Sequence, residues 1–165
     1  MPKRLTVLQV ALILIGSAAS AHAQTESWDP LIGTWTLNAE KSVFGGNAPP
    51  PTSLTRTFDY TKDGLMLVTL ETVNARGRSF LHWYLGFDGK EYPEYSRESG
   101  AKPTYWLSAK VIDPYTKEVI DRVADQDEPF LVINFAVSKD GETMTMTYKD
   151  MDGTRGNIVV YDKVF

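Results

Sequence analysis

The chain has 165 residues, no cysteine, a formal net charge of −4 and a pI near 5.2. That length suits one domain rather than two, and the acidic balance argues against a nucleic-acid partner, whose phosphates would repel it. Without cysteine there is no disulfide framework, no thiolate metal site and no lipid-modified cysteine.

The first residues, "MPKRLTVLQVALILIGSAASAHAQ", place Lys3 and Arg4 before an apolar run from Leu5 to Ile15 and end on Ala21-His22-Ala23. A positive start, a short apolar stretch and a small-x-small site make an export signal, too short to hold across a bilayer. Cleavage after Ala23 is expected to leave a periplasmic or secreted chain, residues 24–165, folded as a single domain. Loss of the two cations takes the net charge from −4 to −6. A chain of ~140 residues can bury about two-thirds of its unfolded surface, enough for a core without disulfides.

Past Gln24 the sequence alternates between β-rich runs and turn signals. The runs are 32–37, 54–60, 65–73, 78–87 and 104–112, then 118–123, 130–138, 143–149 and 157–164. Lys62-Asp63-Gly64, Asn74-Ala75-Arg76-Gly77, Asp88-Gly89, Lys139-Asp140-Gly141 and Asp152-Gly153 separate several of them. Gly supplies the positive φ such turns need, and Asp or Asn bonds the local backbone. Period two dominates and no helical periodicity is sustained. The expected fold is an all-β, antiparallel up-and-down barrel of 8–10 strands, because short hairpins favour a meander and closure removes its edges. The longest early connection, 38–53, carries Gly45, Gly46 and Pro49 to Pro51, which leaves a spacer or a lid over one barrel end. Phe165 raises a membrane barrel as a rival, but Arg56 between Leu54 and Phe58, and charges on both faces of 118–123, spoil a lipid-facing surface.

Gly33-Thr34-Trp35-x-Leu37 resembles the opening strand of the calycins, that is, lipocalins and fatty-acid-binding proteins. Val160-Tyr161-Asp162-Lys163-Val164 is similar to the closing strand of the fatty-acid binders. Four stretches resemble a group of small exported bacterial lipocalin-like proteins with no settled activity: Gly33 to Phe44, Asp88 to Pro93, Val137 to Thr145 and Val159 to Lys163. The resemblance implies a barrel plugged at one end by Trp35. In fatty-acid binders an Arg two residues before the closing Tyr grips the ligand carboxylate; here that position is Val159. A carboxylate buried without a cation is costly, so fatty-acid binding in that mode is not expected unless another cation takes the place of that Arg, Arg122 or Arg56 being the nearest.

Once the signal is removed, His82 is the remaining histidine. One histidine and no cysteine supply neither a zinc nor a blue-copper ligand set, and no sharp glycine-flanked nucleophile turn accompanies a serine. The turn carboxylates Asp63, Asp88, Asp140 and Asp152 are explained by the turns, and Asp125-Gln126-Asp127-Glu128 reads as a solvated hairpin tip. No catalytic residue, metal ligand or cofactor is expected.

The stretch "FLHWYLGF" puts Phe80, His82 and Tyr84 on one face and Leu81, Trp83, Leu85 and Phe87 on the other. Two bulky faces suggest that both are covered, one of them by a ligand or partner, unless these side chains simply fill the barrel. The candidate ligand contacts are Trp35, Phe80, His82, Tyr84, Trp106, Arg122 and Tyr161. The expected role is binding of a small hydrophobic or amphipathic molecule. The alternative is an envelope interaction or inhibitor module using 38–53 and 88–103. An enzyme would need an acid–base–nucleophile constellation that the sequence does not offer.

Overall fold

Ten antiparallel strands close on themselves in sequence order: β1 (Gly33–Val43), β2 (Ser53–Tyr60), β3 (Met66–Asn74), β4 (Gly77–Leu85), β5 (Glu91–Tyr95), β6 (Tyr105–Asp113), β7 (Thr116–Val123), β8 (Pro129–Val137), β9 (Thr143–Asp150) and β10 (Arg155–Val164). The computed structural model describes residues 29–45, 49–95 and 102–165, so the expected signal segment and parts of both long connections lie outside the described residues. Each strand pairs with the next, and β1 pairs with β10 from Thr34↔Val164 to Asn38↔Val160. That last seam converts a meander into a barrel and removes the open edges that a ten-strand sheet would otherwise expose.

Nine of the strands coincide with the nine β-rich runs. The tenth, β5, is "EYPEY", whose Pro93 cannot donate to a ladder and whose charges hide the alternation. Its pairing with β4 is correspondingly brief, limited to His82↔Tyr95 and Trp83↔Glu94. The connection expected from residue 38 starts later, because β1 runs on to Val43 through a bulge. The β1–β10 register shifts between Asn38 and Val43, where Asn38 Oδ1 accepts from the Lys41 amide and the Ser42 hydroxyl donates to the Asn38 carbonyl.

Alternation sorts the side chains. Trp35, Phe58, Met66, Val68, Leu85, Met144 and Tyr161 point inward and are almost fully buried. Many outward positions are charged, as in the Lys110–Glu118 pair across β6 and β7 at 2.7 Å, although β4 and β6 also carry exposed apolar side chains such as Phe80 and Val111. Thr69, Lys149 and Asp162 also break any continuous apolar band of the sort a lipid-facing barrel carries.

One end of the barrel is sealed by the segment leading into β1. Trp35 has no exposed surface, and its Nε1 donates to the Leu31 carbonyl at 2.8 Å. Lys163 from β10 lies over the indole, its Nζ 4.9 Å from the ring centroid, and donates to the Pro30 carbonyl. Gly33 is what allows this stack: its φ is +126°, and a Cβ there would come within 2.9 Å of Lys163 Cε. Beside the plug, Asp29 accepts from Lys117 Nζ at 2.7 Å, from the Leu31 amide and from the Tyr60 hydroxyl. Both members of the ion pair are buried. Leaving either one alone would cost several kcal/mol, about 3–5, so the pair holds the entry segment against β7.

Candidate interior site

Above the plug, the inward row changes character. Arg56 on β2, Glu94 on β5, Asp121 on β7 and Tyr148 on β9 converge on an interior cavity of about 170 Å³. Its remaining wall is apolar, with Leu70, Leu81, Trp83, Leu107, Leu131 and Ile133 among the lining side chains. Each polar residue reaches the interior because it is in phase with the apolar face of its strand. Arg56 is two residues from Phe58, and Asp121 two from Val119.

Arg56 is 5% exposed and Asp121 9% exposed. Among the described residues, no group in hydrogen-bonding geometry reaches Arg56 Nε, Asp121 Oδ1 or the Tyr161 hydroxyl, although Tyr161 stands close enough beside the guanidinium to raise its pKa. Buried polar atoms are normally satisfied, and an unmet donor or acceptor costs about 1–3 kcal/mol. Three such atoms lie in one cluster, where a further group could complete the bonding. Among the described residues, neither carboxylate comes within ion-pair distance of the guanidinium. Arg56 instead stacks over Trp83, with Cζ 5.3 Å from the ring centroid.

The protonation states follow from this packing. Burial by itself would lower the pKa of Arg56, but the neighbouring Tyr161, Tyr148 and Glu94 outweigh it and leave the pKa raised. Asp121 is pushed up to about 7, first by burial and then by the Glu94 charge, with Arg56 pulling the other way. Glu94 is raised by burial against the same opposing pull. Tyr148 is driven up to about 12 by burial, which keeps its phenol neutral. The cluster therefore holds one fixed cation and two carboxyls that burial makes harder to ionise, Asp121 the more clearly.

The sequence-derived candidates are placed differently. Tyr161 is inside, beside Arg56. Trp35 is inside too, but it forms the floor plug and does not line the cavity. Phe80, His82 and Tyr84 project outward from β4 and are exposed, while Leu81, Trp83 and Leu85 occupy its inner face. Trp106 lies on the outer face of β6, in register with Arg122 and Pro93. Arg122 is outside as well, bonded through Nε and Nη2 to Glu91 at 2.8 and 2.7 Å and through Nη1 to the Gln126 carbonyl. Arg56, not Arg122, is the cation that takes up position beside the closing tyrosine. Glu94, Asp121 and Tyr148 complete the cluster, and their signal in the sequence is an ionisable or phenolic group in phase with apolar neighbours.

Comparison with solved structures agrees on the architecture. The fluorescent protein UnaG superposes with a TM-score of 0.57 at 14% identity, over 81% of this chain and 96% of that one. A mutant of UnaG gives 0.55 at 12% identity, over 82% and 97%. The barrel is calycin-like. Identity at this level shows the fold alone. No protein-family model matches the sequence, and no curated protein does. The opening Gly-x-Trp and the closing Tyr-x-Lys thus meet at the β1–β10 seam, as the resemblance to calycins implied.

Proposed function

We propose that this protein is an exported calycin-like carrier that takes one small amphipathic molecule into its interior. The observation that carries the reading is the set of three buried, unpartnered polar atoms beside the 170 Å³ cavity. The volume limits the cargo. Drug-sized pockets run to ~300–1,000 Å³, whereas an engineered cavity of about 150 Å³ takes benzene. A single ring or short branched chain with one polar head matches this interior; a long fatty acid does not. Residues 1–23 support delivery to the periplasm or the exterior.

A second reading rests on the outer face. Tyr84 is 42% exposed and Tyr95 43%, and with Leu65, His82, Tyr92 and Pro93 they line a surface pocket of about 300 Å³. Such an aromatic patch is of the kind that protein partners cover.

Native mass spectrometry of the full-length chain's product, recovered from its own cell envelope, separates the two. The carrier reading predicts a retained small-molecule adduct that disappears in Arg56→Leu. A bare mass, together with exclusion of benzene-sized probes from the interior, contradicts it. A co-purifying protein that is lost in Tyr84→Ser and retained in Arg56→Leu favours the second reading.

A further inference from the structure

The cluster around Arg56 also says what kind of polar head it takes, granted that the interior binds a ligand. A lone buried arginine would attract a carboxylate, but Arg56 shares its chamber with two carboxyl groups, Glu94 and Asp121. The cluster's formal charge is zero with one carboxylate ionised and −1 with both. An incoming carboxylate would therefore bring negative charge into a low-dielectric space where the guanidinium is already offset. An ammonium group fails for a different reason. It has no acceptor to offer Arg56 Nε, and it would sit beside that fixed cation.

The unmet atoms are complementary in kind. Arg56 Nε is a donor, Asp121 Oδ1 an acceptor when ionised, and the Tyr161 hydroxyl either one. One uncharged group carrying both a carbonyl oxygen and an N–H would satisfy the first two together, without altering the charge of the cluster. We propose that the interior site selects a compact apolar molecule with a neutral amide-type head, an amide or a urea, whose carbonyl accepts from Arg56 Nε while its N–H donates to Asp121 Oδ1. The apolar remainder then lies among Leu70, Leu81, Leu131 and Ile133.

Three probes of similar size and different head test this: benzamide, benzoate and benzylamine, with benzene as the headless control. Binding is read at pH 7.5 by titration calorimetry, and entry into the interior by the assigned Trp83 indole NMR signal, since Trp83 lines the cavity beneath Arg56. Benzamide is expected to shift that signal and to bind about tenfold or more tightly than either charged analogue. Asp121→Asn removes one negative charge while keeping the side chain's size, and it is expected to narrow the gap for benzoate by about tenfold. Benzoate or benzylamine binding as well as benzamide overturns the neutral-head inference and leaves the carrier reading standing. Benzene entering while benzamide does not also overturns it. If none of the four moves the indole signal, the interior takes no ligand, and the carrier reading falls with the inference.

Discussion

Replacing Trp35 with alanine is expected to lower unfolding free energy by about 3–5 kcal/mol, the range for deleting a large buried aromatic. Whole domains of this size are held by only about 5–15 kcal/mol, so the variant sits at the edge of folding. Three contacts vanish together: the filled space under the barrel, the Nε1 bond to the Leu31 carbonyl, and the surface on which Lys163 stacks. The loss is local to the β1–β10 seam, where the first and last strands meet. Trp35→Phe restores ring volume without the N–H and is expected to recover about half the loss. Trp106→Ala, on the outer face, serves as the control. Urea unfolding of the variants checks this, and equal losses for Trp35 and Trp106 would show that the indole is not the plug.

The second large effect concerns pH. Asp121 titrates near 7 in the folded chain and at the ordinary carboxyl value, 3.8, when unfolded. The folded state therefore keeps a proton that the unfolded state has released, and stability falls as pH rises between those values. Below about pH 4 the contribution is fully present; above about pH 7 it is gone. Between pH 5 and 8 the expected decline is about 2–3 kcal/mol. Glu94, also raised, adds in the same direction. The exposed turn carboxylates Asp88, Asp140 and Asp152 are lowered by their local hydrogen bonds, so their effect has the opposite sign and falls below that window. Asp121→Asn should flatten most of the decline and make the protein more stable than wild type at pH 8. Thermal unfolding at pH 5, 6, 7 and 8 measures both curves. A wild type whose stability rises across that range, or a variant with an unchanged slope, contradicts the assignment.

The architecture was legible because two signals agreed. Period-two runs marked nine strands, and the Gly33–Trp35 and Tyr161–Lys163 pairs marked the seam that joins first to last. β5 escaped because Pro93 and its flanking glutamates lack the β-branched alternation, and because a strand that pairs briefly needs little of it. The site was harder to read for a physical reason. Inward and outward differ by one residue along a strand, so a face assigned from bulk alone can be inverted. Phe80, His82 and Tyr84 are as bulky as Leu81, Trp83 and Leu85, and nothing within β4 says which set the core takes. Arg122 and Asp121 show the same ambiguity. The arginine drew notice as a cation, yet its neighbour shares phase with Lys117 and Val119 and goes inside. Charges in phase with apolar residues on β2 and β7 were the available clue.

An experimental electron-density map at high resolution, from protein isolated with its native cargo, tests the central claim most directly. The account predicts density within the chamber above Trp35, bridging Arg56 Nε and Asp121 Oδ1 while the two side chains remain apart. Arg56 and Asp121 closed onto each other, with side chains filling the space between β2 and β7, would contradict it.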